Sequence, residues 1–285
     1  MLCAARWASP RFGRLQLSTG REAFYAQAMT HPIRIAVQIQ PQHAEYAQIR
    51  DAVRGAEGIG VDVAFNWDHF YPLSGDRGGK HFECWTMLGA WAEQTSRIEI
   101  GALVTCNSYR NPDLLADMAR TGDHMSGGRL ILGIGAGWFQ KDYDNFGYEF
   151  GTAGQRIAAL GQALPRIRQR LAAGNPTPTR QIPIMIGGGG EKKTLRVVAE
   201  HADIWHSFGD AETIVRKSAI LNNHGTDVGR DATQIERSAG VSQAPEKVAD
   251  AMVAAGVTLF TVGVSGPDYD LSMVKNWVQW RDAQG

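Results

Sequence analysis

The sequence carries no net charge: 29 lysines and arginines are matched by 29 aspartates and glutamates. Bulk attraction to nucleic acid or to a membrane surface is therefore not expected. Cysteine is scarce. Cys3, Cys84 and Cys106 form no CxxC pair, and a chain of this size needs no disulfide staples, which points to a reducing cytoplasm. No stretch approaches 18 uninterrupted apolar residues, so no helix is predicted to span a bilayer. Solenoid repeats and low-complexity linkers are missing. No serine or cysteine stands in a nucleophile elbow, so acyl transfer has no anchor. The first 28 residues carry four arginines and one acid and lack the apolar core of a secretory signal. A transit-like segment is one reading. The reading adopted rests on Met29, just before the first clear strand: residues 1–29 are an N-terminal extension, disordered or created by an upstream start codon. Residues 30–285 are expected to form one domain.

What is present is enough apolar residue, 44% of the chain, to build a sizeable core. From Ile33 onward short apolar runs alternate with segments of helical period. The runs are 33–39, 63–67, 98–105, 130–136, 182–187, 203–208, 234–241 and 259–264, eight in all. Between them lie helical patterns, one opened by Pro112 and one expected to kink at Pro165. Continuous apolar strands are buried on both faces, as in parallel sheets. Eight βα units over about 250 residues predict an α/β fold, a (β/α)8 TIM barrel, in preference to a doubly wound sheet. Its chemistry would sit at the C-terminal ends of the strands.

Three stretches at those ends carry chemistry. In LILGIGAGWF, Gly133, Gly135 and Gly137 alternate, so they leave one side of the fourth strand bare. The spacing is GxGxG on a fourth strand, not the GxGxxG of a first strand with an acid about 20 residues on, so a dinucleotide fingerprint is excluded. Either a flat ring lies on the bare side or neighbouring strands pack tightly there. In IGGGGEKKTLR, Gly187 to Gly190 follow a strand and open a helix, a turn that offers free amides and a positive helix end to a phosphate. Lys192, Lys193 and Arg196 add positive charge. Asp68 and His69 end the second strand as a carboxylate beside a proton-shuttling imidazole. His201, Asp203 and His206, or His81, Glu83 and Cys84, match no zinc spacing well, and no metal is expected.

Three segments in order carry a family resemblance: WDHFYPLSGDRGGKHFECWTMLGAWAEQTSRIEIGALVTCNSYRNPDLLADMA, SGGRLILGIGAGWFQKDYDNFG and IPIMIGGGGEKKTLRVVAEHADIW. Together they resemble the luciferase-like flavin and deazaflavin oxidoreductases, most closely the F420-dependent subgroup. The resemblance covers residues 33 to 208 well and the last 75 residues weakly. It implies that Asp68 and His69 stand near the reactive face of the ring. It implies a strand-3 bulge at Ala102-Leu103, where relatives often carry a non-proline cis peptide behind the ring. It implies that Thr105, Asn107, Gly135, Ala136 and Gly137 face the cofactor, and that Gly188, Gly189, Gly190 and Glu191 form the phosphate turn with Gly187. Arg129, Lys192 and Lys193 would suit the acidic tail of F420.

Two departures bear on substrate. Sugar-phosphate dehydrogenases of the family carry an acidic proton donor after the GxGxG, where this chain has Trp138, a residue suited to shaping an apolar pocket. The connection before the fifth strand is also short. The reading is thus an F420-dependent oxidoreductase that moves a hydride to or from a small organic substrate. An FMN-dependent monooxygenase is the alternative, and a barrel that binds a flavin without turnover is the third. A homodimer is implied by the family.

Overall fold

The computed structural model describes residues 31–284. The N-terminal extension, with Cys3 and Met29, lies outside the described residues. The strands are β1 (Arg34–Ile39), β2 (Val63–Asn66), β3 (Glu99–Ala102), β4 (Thr105–Cys106), β5 (Leu130–Gly135), β6 (Ile184–Gly187), β7 (Ile204–Ser207), β8 (Glu236–Val241) and β9 (Val257–Val264). Their order is β3-β2-β1-β9-β8-β7-β6-β5-β4, and β5 pairs with β3 as well as β4. That extra pairing closes the sheet. Ile100 of β3 aligns with Leu130, and Thr105 of β4 with Ile134. β3 and β4 are therefore two halves of one barrel strand, and the ring is an eight-stranded parallel barrel.

The expected continuous strand at 98–105 is corrected here. It breaks at Leu103-Val104, which carries the non-proline cis peptide. The bulge therefore falls one bond later than the expected Ala102-Leu103.

Helices cover the outside, with boundaries set by local chemistry. The helix Pro112–Ser126 starts with its proline in the first turn, is capped by the Asn111 side chain, and ends at Gly127 with φ 65°. Thr152 and Gln155 form a capping box for Ala153–Ala173, which continues through Pro165 as one helix. One short helix, Gln140–Phe146, had no counterpart in the sequence reading. No described helix is long and apolar enough to cross a membrane.

Alternation along each strand divides the core in two. The larger part lies between strands and helices, with Trp91, Trp205 and Trp277 fully buried. The smaller part, including Ala36, Phe65, Leu103, Ile131, Met185, Ile204 and Leu259, fills the barrel interior. At the N-terminal mouth Arg34 bridges Glu99 at 2.5 Å and Glu236 at 2.5 Å. Burial disfavours the Arg34 charge, but the two carboxylates outweigh it and hold the guanidinium protonated.

The alternating glycines have a packing explanation. A Cβ on Gly133 would collide with the Ala102 carbonyl oxygen. On Gly135 it would lie 2.7 Å from Val104 Cγ2, and on Gly187 3.0 Å from Val104 Cγ1. The bare side of β5 is thus filled by the bulge of the third barrel strand, so the expected shelf for a ring is already occupied at Gly133 and Gly135. Gly135→Ala should cost roughly 2 kcal/mol through overpacking, and adding Val104→Ala should recover most of it. Gly133→Ala, pressed against backbone, should cost roughly 3 kcal/mol or more and resist that rescue. Urea unfolding of the four proteins checks this, and equal rescue of both glycine variants would refute it.

Candidate active site

The C-terminal mouth of the barrel holds a cavity of about 390 Å³, within the range of small-molecule sites. Eight of the expected residues line it: Asp68, His69, Leu103, Thr105, Gly137, Trp138, Gly187 and Gly188. A second cavity, about 440 Å³, lies beyond Phe208 at Gly209, Gly240 and Lys247. The imidazoles and the thiol of Cys106 line the first, which makes it the candidate site.

His69 stands after β2. Its Nδ1 is 2.8 Å from Oδ2 of Asp142, a fully buried carboxylate on the helix Gln140–Phe146. Asp142 also accepts from the Tyr109 hydroxyl at 3.2 Å and the Phe70 amide at 3.3 Å. A carboxylate accepts, so Nδ1 of His69 carries the proton and Nε2 is left for the cavity. Asp142 was missed in the sequence reading. Its signal is position: it lies in the first turn of a helix just after Gly137, in a loop at the chemical end of the barrel.

Asp68 is placed differently from expectation. It lines the cavity, but both oxygens are engaged. Arg110 donates to Oδ2 at 2.6 Å and to Oδ1 at 3.1 Å, and the Cys106 amide donates to Oδ2 at 3.0 Å. Burial pushes the carboxyl above the ordinary range, and Arg110 and the Cys106 amide offset only part of that rise. Asp68 thus fixes β4 in place, and its expected catalytic role has no free oxygen to act through. Thr105 accepts from Trp85 Nε1 at 3.1 Å. Burial raises the Cys106 thiol, so it is no thiolate nucleophile. Gln38 donates to the Leu103 carbonyl at 2.8 Å and supports the bulge.

Trp138 is 64% exposed and meets His69 edge-on at 5.6 Å. Gly137, at φ 82°, has no space for a Cβ beside Tyr143 and Cys106. Ala102, Asn107, Gly135 and Ala136 lie behind the lining, outside the cavity surface.

The glycine turn follows β6. The Gly188 amide bonds the His206 carbonyl at 3.0 Å, whereas the amides of Gly189 and Gly190 make no backbone hydrogen bond among the described residues. A Cβ on Gly189 would collide with Nζ of Lys217 and lie 3.1 Å from the Ser207 hydroxyl. Lys217, on the helix Ala211–Asp227 that follows β7, is the cation the sequence reading missed, since 27 residues separate it from Gly190. Glu191 turns away to pair with Arg216, which holds its carboxyl below the ordinary range. Arg129 is at the opposite end of the barrel, where it donates to the carbonyls of Ala92, Thr95 and Ile98, so it is no partner for a ligand at this mouth.

The two considered metal sets do not converge. Asp203 accepts from Arg168 at 3.0 Å, Glu83 caps Thr86, and His206 bonds Ser238. No group of three metal-ligating side chains forms among the described residues.

The family model for luciferase-like monooxygenases matches residues 28–260. An uncharacterised protein of Mycobacterium tuberculosis is 27% identical over 62% of this chain and 68% of its own length. An F420-dependent glucose-6-phosphate dehydrogenase of Amycolatopsis mediterranei is 30% identical over 53% of this chain, a match that spans 48% of that enzyme. Among solved structures, an F420-dependent secondary alcohol dehydrogenase with an F420-acetone adduct has the same fold, with a TM-score of 0.77. It is 16% identical over 87% of this chain and 98% of its own.

Burial holds the His81 and His206 imidazoles down to about 4. The unfolded chain protonates both near pH 6.5, so between pH 6.5 and 4 it binds more protons than the folded protein. The stability these two groups contribute should therefore fall as pH drops through that window, each depressed unit being worth about 1.4 kcal/mol. Unfolding temperatures measured from pH 7 to 4 test this; a flat profile would contradict it.

Proposed function

The chain belongs to the luciferase-like monooxygenase family, and from that premise we propose that it is an F420-dependent oxidoreductase moving a hydride between the deazaflavin and a small organic substrate. The observation that carries the reading is the cavity itself. It joins His69, locked by buried Asp142, to a glycine turn flanked by Lys217. The F420-dependent relatives named above support the choice of cofactor.

The residues fit such a group. The free amides of Gly189 and Gly190 and the Lys217 ammonium would hold a phosphate. Leu103 and Val104 would back a flat ring. When bound, F420 supplies two-electron hydride chemistry. His69 would give or take a proton at a substrate oxygen through Nε2, while Asp142 keeps the imidazole oriented. Trp138 and Phe208, both exposed at the mouth, would cover substrate and exclude water. With Trp138 in the place of an acid, the pocket suits an apolar substrate better than a sugar phosphate. A homodimer belongs to the same reading, with Leu114 and Met125, exposed to 54% and 40%, as apolar surface for it to bury.

An FMN-dependent monooxygenase is the second reading, because the Gly189–Lys217 cradle suits any flavin phosphate. Titrating the protein with each cofactor and following fluorescence separates the two. F420 should bind, and micromolar binding of FMN with none of F420 would sink the first reading. Lys217→Ala should weaken cofactor binding about tenfold. His69→Ala should lower turnover by about 100-fold or more with binding kept, and unchanged turnover would remove His69 from the chemistry.

A further inference from the structure

We propose that His206, held by Ser238, recognises the uncharged polar edge of the cofactor's pyrimidine ring. The proposal rests on the reading above that a flavin-type ring enters this cavity. His206 lies on β7 in register between Gly187 of β6 and Ser238 of β8. Its side chain faces the barrel interior, is 2% exposed, and lines the cavity. Nδ1 bonds the Ser238 hydroxyl at 2.8 Å. Nε2 is buried and has no hydrogen-bond partner among the described residues. The Phe208 ring meets the imidazole edge-on at 5.1 Å and is itself 74% exposed, so it can give way.

A buried polar nitrogen without a partner is costly, and a ligand that supplies one recovers the loss. Burial keeps the imidazole neutral above about pH 4, and an uncharged polar group meets it without burying a charge. The Ser238 hydroxyl can donate to Nδ1 or accept from it. Nε2 can accordingly present an N–H or a lone pair. F420 and FMN share a ring edge of alternating carbonyl and N–H groups, which meets either form.

Placement favours the ring over the substrate. Gly188, where the phosphate turn begins, directly follows Gly187, the register partner of His206. A molecule anchored by its phosphate at Gly189 and Gly190 brings its ring past Gly187 to His206. Substrate is left with the outer space beside Trp138.

The test titrates the whole chain with F420 and separately with FMN, by fluorescence. It compares wild type, the double variant His206→Leu/Ser238→Ala, and His206→Gln. The double variant should bind the cofactor that wild type prefers about tenfold more weakly, and His206→Gln should recover most of that loss. Without cofactor, the double variant should unfold at or above the wild-type temperature, because an unpaired buried nitrogen has gone. Unchanged affinity for both cofactors overturns the assignment. So does weaker binding accompanied by a lower cofactor-free unfolding temperature, which marks a merely structural residue. A wild type that prefers FMN overturns the F420 reading alone, since the same tenfold loss, read with FMN, still supports His206.

Discussion

The site depends on one close approach: the bulge of the third barrel strand pressed into a gap left by glycines on the next two strands. Val104 occupies the space where Gly135 and Gly187 lack side chains, and the Ala102 carbonyl occupies that of Gly133. A side chain at Gly133 or Gly135 would push this bulge outward. Held where it is, it carries Leu103 and Val104 into the barrel mouth as the apolar wall of the cavity. It also splits the strand, so that β4 resumes at Thr105 and delivers Thr105 and Cys106 to the same cavity.

Buried charge then holds the bulge from the other side. Asp68 takes the Cys106 amide on Oδ2 and Arg110 across both oxygens. Gln38 reaches from β1 to the Leu103 carbonyl. Removing a partner from such a buried set leaves the other charge uncompensated, which is far costlier than the net worth of the pair. The carboxylate next to the candidate catalytic histidine is therefore architectural. The one that orients His69 is Asp142, which comes from a different loop. Two acids at one mouth are separated in role by what already occupies their oxygens.

This explains which features could be read from sequence. Eight strands, their parallel arrangement and the position of the mouth follow from apolar runs and helical periods, because those patterns report burial directly. His69, Trp138 and Gly188 were expected at the mouth because strand ends name the residues of a barrel site, and they line the cavity. Asp142, Lys217 and the pairing of His206 with Ser238 were not. Each acts across a large separation in sequence, Asp142 on His69 and Lys217 on Gly189. No local pattern marks such a partner. The glycines of β5 show the converse limit. Their alternation is plain, but a strand bare on one side looks the same whether a ligand or another strand fills it. Only the position of Val104 decides.

The charges at the mouth are distributed in a way that constrains what can bind. Among the described residues no lysine lines the candidate cavity, and Arg110, close behind it, is committed to Asp68 and Glu83. The histidine on the β7 wall is neutral. Lys217 stands outside that lining, against the glycine turn. An anion placed inside the cavity would lose its hydration and find no free lysine or arginine among the described lining residues, a cost that hydrogen bonds alone rarely recover. The same anion at the turn meets free amides, an ammonium and a helix N-terminus. The fold thus sorts a ligand by its parts, with charge at the rim and neutral rings and polar edges within. A charged tail on a flat, uncharged heterocycle matches that division, whereas a small phosphorylated substrate inside the cavity works against it.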